Sequence, residues 1–154
     1  MIEKLLCEAE KEGVEVINWP LQGKTKGLYC DGVIAINKKL STTAEKTCIL
    51  AEELGHYYTS YGNIINQEII SNRKQELRAK RWAVKRLVTP KNIIKAFKTG
   101  CRNLYEMAEY LGVTEEFLRE AFHNYGQMYG VCKKRGSYTI YFDPPGVYKN
   151  TEVY

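Results

Sequence analysis

The sequence lacks any apolar segment long enough to cross a lipid bilayer. Its amino-terminal residues 1–16 mix charged and apolar side chains and do not form the long apolar core of a signal peptide. A membrane-spanning protein and a secreted one are therefore not expected. We predict a cytoplasmic protein that does not associate with a membrane.

Cysteine pairs at metal-binding or redox spacing are also missing. The five cysteines are scattered, and no two of them form a C-x-x-C pair: Cys7, Cys30, Cys48, Cys101 and Cys132. An odd, dispersed set argues against a disulfide framework and against a cysteine-ligated zinc ribbon. We predict buried free thiols in a reducing compartment.

The overall composition is that of an ordinary globular protein. Hydrophobic residues make up 44% of the 154 residues and charged residues 27%, with a formal net charge of +5. This length suits one compact domain with its own core, and we predict a single domain over residues 1–154. The positive charge permits contact with nucleic acid or an acidic partner without requiring either.

Hydrophobic spacing, capping residues and turn residues predict a mostly helical α+β fold with one small sheet. Asp31-Gly32 between two β-prone runs predicts a hairpin over residues 28–36. The stripe Ile70, Leu77, Val84 and Val88 predicts the buried side of the third helix. Ser41, Thr42 and Thr43 offer capping hydroxyls for a helix that continues to about Tyr58. Further helices are expected at 1–12, 67–88, 91–98, 103–111 and 114–125, a strand at 137–142, and a tail at 144–154 opened by Pro144-Pro145.

The second helix carries the residues that point most directly to chemistry. Glu52 and His56 are four residues apart, so they lie on the same face of a helix and can reach one metal ion. Glu53 borders that face and can hold a water molecule without being a ligand. This is the geometry of the H-E-x-x-H motif of zinc peptidases, with glutamate in place of the first histidine.

A third ligand is available on the next helix. Glu76 follows His56 by 20 residues, which leaves room for a turn and an antiparallel helix. It shares a helix face with Asn72, Ala79 and Ala83, and small residues allow close packing against the metal-bearing helix. The alternative is an ordinary ion pair between Glu76 and Lys80 at a spacing of four residues.

The segments Ala51–Tyr58 and Glu76–Ala83 together resemble the ImmA/IrrE family of metallo-endopeptidases. The resemblance extends over roughly residues 28–125, and it implies a small zincin-like fold whose metal-site core spans residues 28–90. By position, His56 matches a zinc histidine, Glu53 the general base and Glu76 the carboxylate ligand. Glu52 stands where the family usually has its first histidine.

The resemblance implies an endopeptidase acting on a cytoplasmic protein substrate, since some family members cleave helix-turn-helix repressors of phages and mobile elements. We predict zinc as the cofactor, held by Glu52, His56 and Glu76. A site with two carboxylates would also suit iron or manganese. The oligomeric state is left open by the sequence.

Residues 103–125 support a rival hypothesis, because their pattern is typical of helix-turn-helix DNA-binding units. The second helix of that unit, however, carries Glu115, Glu116 and Glu120 against Arg119 alone, which disfavours contact with phosphates. Nucleic acid is therefore not expected as a partner. A third hypothesis is a catalytically degenerate peptidase fold that binds protein.

Three other residues near these segments have weaker assignments. His123 lies among aromatic residues and is predicted at the edge of the core or on the surface. Tyr57 or Tyr58 is a candidate to stabilise an oxyanion beside the metal, although the spacing selects neither.

Overall fold

The computed structural model of the chain describes residues 1–60 and 69–151, and the side chains of the third helix from residue 72 onward. It contains two compact units, Met1–Arg86 and Leu87–Tyr154. That division does not test the predicted single domain. The described elements, in chain order, are α1 (Ile2–Lys11), β1 (Glu15–Trp19), β2 (Gly27–Cys30), β3 (Val33–Asn37), α2 (Thr43–Thr59), α3 (Ile69–Leu87), α4 (Pro90–Lys98), α5 (Leu104–Leu111), α6 (Glu115–Tyr129), β4 (Cys132–Arg135), β5 (Tyr138–Phe142) and β6 (Pro145–Lys149).

The predicted α+β class with helices dominating is confirmed. The described residues form two three-stranded sheets where the sequence predicted one. Over residues 1–60 and 69–151, no helix has both the length and the apolar content needed to span a bilayer.

The sheet of the first unit has the strand order β1-β3-β2. β1 runs parallel to β3, and β2 runs antiparallel to it. Asp31 and Gly32 both adopt positive φ, at 45° and 78°, as a two-residue hairpin turn requires. The predicted hairpin is therefore confirmed, and β2 lies at an edge of this sheet.

The second helix, α2, begins where its capping residues predicted. The Thr42 hydroxyl accepts a hydrogen bond of 3.1 Å from the backbone N–H of Glu45, which satisfies one of the free donors at the helix start. One side of α2 is buried through Leu50, Ala51 and Leu54. The acidic residues that follow Ala51 are thereby directed away from the core.

The third helix packs against α2 through a contact that only glycine permits. A Cβ atom added at Gly55 would overlap the backbone carbonyl group of Ala79. Ala79 and Ala83 are buried, as the small-residue face of α3 predicted. The backbones of α2 and α3 therefore approach each other closely at Gly55.

The first helix is joined to α2 and α3 by polar contacts. The hydroxyls of Tyr57 and Tyr58 each donate a hydrogen bond of 3.1 Å, to Glu12 and Glu8 respectively. Arg86 of α3 forms a 2.8 Å ion pair with Glu8. These contacts hold α1 on the side of α2 that carries the tyrosines.

The second unit combines α4, α5 and α6 with the antiparallel sheet β4-β5-β6. All three helices have side-chain caps, from Thr89, Asn103 and Thr114. The buried Tyr125 hydroxyl donates a 2.6 Å hydrogen bond to the carbonyl of Val88. The sheet contributes buried apolar side chains to this unit: Ile140, Phe142 and Val147.

Two sequence predictions about local structure are wrong. The expected tail at 144–154 contains the strand β6, which pairs with β5 along its length. Pro145 begins that edge strand, a position that tolerates the missing N–H of proline. Leu77 is 40% exposed although its stripe was predicted to be buried, whereas Val84 and Val88 are buried as expected. The start of α3 expected at residue 67 and the side chain of Ile70 lie outside the part of the chain that the structure describes.

A third wrong prediction concerns the thiols. All five cysteines are free, as expected, but only Cys48 is buried. Cys7 and Cys30 are exposed, while Cys101 and Cys132 are partly exposed. The scattered positions reflect separate local environments rather than one shared thiol core.

The glycine contact between α2 and α3 can be tested by adding one methyl group. Gly55→Ala should lower the free energy of unfolding by about 2 kcal/mol or more, because overpacking outweighs the ~1 kcal/mol that alanine gains in a helix. Gly126→Ala in α6 is the matched control, since its added Cβ would lie 3.4 Å from the Phe142 Cβ, in ordinary contact. Urea unfolding of both variants measures the difference. Equal stability of the two variants would contradict the proposed close packing.

Candidate metal centre

An open cleft of about 670 Å³ runs along the exposed side of α2 in the first unit. The edge strand β2 and its turn form one wall, through residues 27–31. α2 forms the floor with Glu52, Glu53 and His56, and α3 contributes Gln75 and Glu76. All four residues predicted from the sequence as the active centre therefore lie in one cleft.

His56 and Glu76 come together across the two helices. The Nε2 atom of His56 lies 3.4 Å from a carboxylate oxygen of Glu76. The His56 side chain is 20% exposed and that of Glu76 is 73% exposed, so the pair is open to the cleft. Of the two interpretations considered for Glu76, this contact favours a role beside His56.

Glu52 makes a different contact. Its carboxylate lies 3.3 Å from the Lys80 ammonium group of α3. Lys80 follows Glu76 by one helical turn, and this spacing had suggested a pair between those two residues. In the structure Lys80 instead reaches across to α2, a contact that the spacing along a single helix did not predict.

The residues therefore fit a divalent metal in their chemistry but only partly in their arrangement. One imidazole and several carboxylates are suitable zinc ligands, and His56 and Glu76 already converge. Among the described residues, however, no group of three or more His, Cys, Asp or Glu side chains is arranged to hold an ion. The ligand set Glu52, His56 and Glu76 stays a prediction.

Glu53 has a strongly perturbed carboxyl group. Burial raises its pKa to about 7, and the negative charges of Glu52 and Glu76 add to this effect. A hydrogen bond from the backbone N–H of Tyr29 in β2 acts in the opposite direction. Glu53 thus changes its charge near neutral pH, which is the property required of a general acid or base.

The strand β2 approaches Glu53 closely because residue 27 is glycine. A Cβ atom at Gly27 would lie 2.9 Å from the Glu53 carboxylate and would overlap the side chain of Ile49. Gly27 and Tyr29 were not singled out from the sequence. Gly27 does precede the predicted hairpin, but nothing in the pattern shows that it faces α2.

The hydroxyls of the two tyrosines after His56 are engaged by carboxylates outside the cleft. Tyr57 bonds to Glu12, the residue that follows α1, and Tyr58 bonds to Glu8 of α1 while its ring stacks on Trp82 with a centroid distance of 4.9 Å. The Tyr57 ring also meets the ring of Tyr29 in β2, with a centroid distance of 5.9 Å. The suggestion that either hydroxyl stabilises an oxyanion gains no support from these contacts.

In the second unit, α5 and α6 form the predicted helical pair. Gly112 ends α5 in a left-handed conformation, and Thr114 caps α6. Arg119 is engaged with Glu115 at 2.7 Å, so the one basic residue of the proposed recognition segment is paired with acid. His123 is exposed and lies 3.2 Å from Gln127, so of its two predicted places, the edge of the core and the surface, the structure has the surface.

A model of the IrrE N-terminal-like domain of the M78 peptidases matches residues 9–123. No curated protein and no solved structure matches the chain significantly. The match begins in α1 and ends in α6, so it includes β2, α2 and α3, which together form the cleft. Because it spans most of the 154 residues, the chain belongs to the IrrE N-terminal-like family of peptidases, the ImmA/IrrE group that its two glutamate-bearing helices resemble.

Proposed function

We propose that the protein is a metal-dependent endopeptidase, with zinc as the preferred ion. The observation that carries this proposal is Glu53, a carboxyl group with a pKa of about 7 that adjoins the contact between His56 and Glu76 in an open cleft. A proton acceptor poised near neutral pH beside an imidazole–carboxylate pair is what metal-assisted peptide hydrolysis requires.

The proposed ligands are His56, Glu76 and Glu52. A bound divalent ion would lower the pKa of a water molecule and polarise the carbonyl group of the substrate. Glu52 joins the other two ligands only after its carboxylate leaves Lys80. A bound metal ion and the Lys80 ammonium group would therefore compete for the Glu52 carboxylate.

Glu53 is assigned the proton transfers. Its ionised carboxylate accepts the proton of the attacking water, and the carboxylic acid that results can deliver this proton to the leaving amine. The backbone N–H of Tyr29 stabilises the ionised form. Gly27 keeps β2 close enough for this bond, because a larger residue there would displace the carboxylate.

The edge strand β2 is the proposed binding site for the substrate. In the described part of the chain β2 pairs with β3 on one side, and it lines the cleft together with Glu53 and His56. An extended peptide can add to such an edge through backbone hydrogen bonds, with alternate side chains facing the cleft. Leu28 is 52% exposed and offers an apolar contact.

The proposed substrate is a cytoplasmic helix-turn-helix repressor of a phage or mobile element. Support for this class comes from the family resemblance. A repressor would have to expose a short extended segment, because β2 can only pair with a strand-like peptide.

The ion pair between Glu52 and Lys80 favours a second candidate function. If this pair is permanent, only His56 and Glu76 remain as ligands, and the cleft would bind a protein segment without cleaving it. The rival hypothesis of DNA recognition through α5 and α6 gains no support from the paired Arg119.

Replacement of Glu53 separates the endopeptidase from the binding module. Glu53→Gln should keep zinc bound at the wild-type stoichiometry but reduce cleavage of a repressor substrate by about 100-fold or more, since general-base catalysis contributes at least that much. Glu109→Gln, an exposed position in α5, is the control. Cleavage is followed by gel electrophoresis and bound zinc by elemental analysis. Undiminished cleavage would remove Glu53 from its assigned role.

The same variant tests the raised pKa without any substrate. A carboxyl group whose pKa is higher in the folded state opposes folding once it ionises, so wild-type stability should fall relative to Glu53→Gln between pH 4.5 and about 7. Above pH 7 the difference should level at about 3 kcal/mol in favour of the variant. Urea unfolding in the presence of a chelator measures it. A constant difference across this range would contradict the perturbation.

Removal of Lys80 tests whether Glu52 is a ligand. Lys80→Met should raise the affinity for zinc by about tenfold or more, because the carboxylate loses its competing cation. Lys85→Met, at an exposed position of the same helix, is the control, and Glu76→Ala is the reference for a lost ligand. Competition with a chromophoric chelator gives the affinities. An unchanged affinity in Lys80→Met would exclude Glu52 from the ligand set.

A further inference from the structure

The second sheet presents a surface that the peptidase cleft does not use. The family match ends at residue 123, whereas the strands β4, β5 and β6 span residues 132–149. One face of this sheet is buried through Ile140, Phe142 and Val147. Because successive residues of a strand point to opposite faces, the neighbours of these residues point away from the core.

The outward face is built from a cross-strand row and an aromatic pair. Thr139 lies opposite Lys134 of β4 and opposite Tyr148 of β6, so these three side chains share the face. Tyr141, two residues after Thr139, lies on the same side. We call the surface of Lys134, Tyr141 and Tyr148, which covers the buried Thr139, the outer tyrosine face, and it borders an open depression of about 600 Å³.

The two tyrosines are arranged by a glycine. Their ring centroids are 5.4 Å apart and their planes are nearly perpendicular, at 84°. Gly146 lies opposite Tyr141, and a Cβ atom there would come within 3.0 Å of the Tyr148 ring. The missing side chain lets Tyr148 lie flat over the strand beside Tyr141. Tyr148 is 61% exposed and Tyr141 38%, so large aromatic surfaces face solvent.

Basic side chains outnumber acidic ones around this sheet, but its register divides them between the two faces. Residues 131–154 contain two acidic side chains, Asp143 and Glu152, against four cations: Lys133, Lys134, Arg135 and Lys149. Lys134 and Lys149 are exposed and border the depression. Lys133 and Arg135 lie opposite Ile140 and Tyr138, on the face away from the tyrosine pair, and the Lys133 ammonium lies 3.6 Å from the centre of the Tyr129 ring.

We propose that the outer tyrosine face binds single-stranded nucleic acid. The exposed aromatic rings of Tyr141 and Tyr148 offer stacking positions for bases, and Lys134 and Lys149 beside them offer charge to the phosphates. A duplex keeps its bases stacked inside and cannot use such a platform. An acidic peptide would use the lysines but would leave the rings without a planar partner. This site is separate from α5 and α6, whose acidic surface had argued against nucleic acid.

The test uses the full-length protein and two labelled probes, a 20-nucleotide poly-dT and a 20-nucleotide poly-rU, followed by fluorescence anisotropy. We expect binding that weakens as salt increases, with a slope of log affinity against log salt of about −1.4 if Lys134 and Lys149 both contact phosphates. A 20-base-pair duplex should bind at least about tenfold more weakly than either probe. The ratio of the two single-strand affinities distinguishes DNA from RNA as the preferred ligand.

Matched variants connect binding to the face. Tyr148→Leu should weaken binding about tenfold, as expected for one lost stacking position, while Tyr148→Phe should retain it. Tyr105→Leu, at a 63% exposed tyrosine of α5, is the control.

Lys134→Glu should weaken binding and flatten the salt dependence, with Lys91→Glu in α4 as its control. The phenylalanine and glutamate variants keep the test valid if the leucine variant does not fold.

Several results would overturn the proposal. These are equal affinity for the duplex and the single strands, equal competition by a poly-glutamate of similar length, or unchanged binding in Tyr148→Leu that is folded by circular dichroism. Loss of binding in the Tyr105→Leu control to the same extent as in Tyr148→Leu would also contradict it. Absence of binding to both probes at low salt would end it.

Discussion

The close contact of Gly55 with the Ala79 carbonyl is the constraint on which the cleft depends. Helix axes separated by ordinary side chains lie about 8–10 Å apart, and small residues at the crossing shorten that separation. Here the crossing lies one residue from His56 and three residues from Glu76. Because the two backbones meet at this point, side chains of ordinary length can touch across the helices. The 3.4 Å approach of His56 and Glu76 follows from it.

Glu52 contributes to the electrostatics of the cleft, at a position where the family that the chain resembles usually has a histidine. A neutral imidazole would leave Glu53 with one fewer negative neighbour. Burial is the main reason that the pKa of Glu53 rises to about 7, and the negative charges of Glu52 and Glu76 raise it further. Lys80 offsets part of this charge by pairing with Glu52. Glutamate at this position therefore adds a negative charge that the cleft balances with either a cation of its own or a bound ion.

Much of the fold was predictable because it is encoded locally. Thr42 and Thr114 cap their helices, and Asp31-Gly32 forms the hairpin turn, each through contacts within a few residues. β6 was missed because two consecutive prolines suggest the end of regular secondary structure. Its strand conformation depends on pairing with β5. β4, with the sequence Cys-Lys-Lys-Arg, has no apolar alternation and is likewise defined by its partner.

The residues of the site that share one helix were predictable, for the same reason that local structure was. Helical spacing placed Glu52, Glu53 and His56 on one side of α2, and the cleft contains all three. Lys80 and Gly27 were not predicted, because their importance arises from contacts between elements distant in sequence. Leu77 shows the converse case, where helical spacing predicted burial but the packing of α3 left it exposed.

One carboxylate behind the cleft joins three elements. Glu8 of α1 accepts a hydrogen bond from the Tyr58 hydroxyl of α2, and it forms an ion pair with Arg86 of α3. Burial and the bond to Glu8 raise the pKa of Tyr58 to about 12, so this phenol remains a donor across the physiological range. The amino-terminal helix is consequently bonded, through Glu8, to both of the helices that carry the cleft. Displacement of α1 by another molecule would remove this shared contact from α2 and α3 at once, outside the cleft itself.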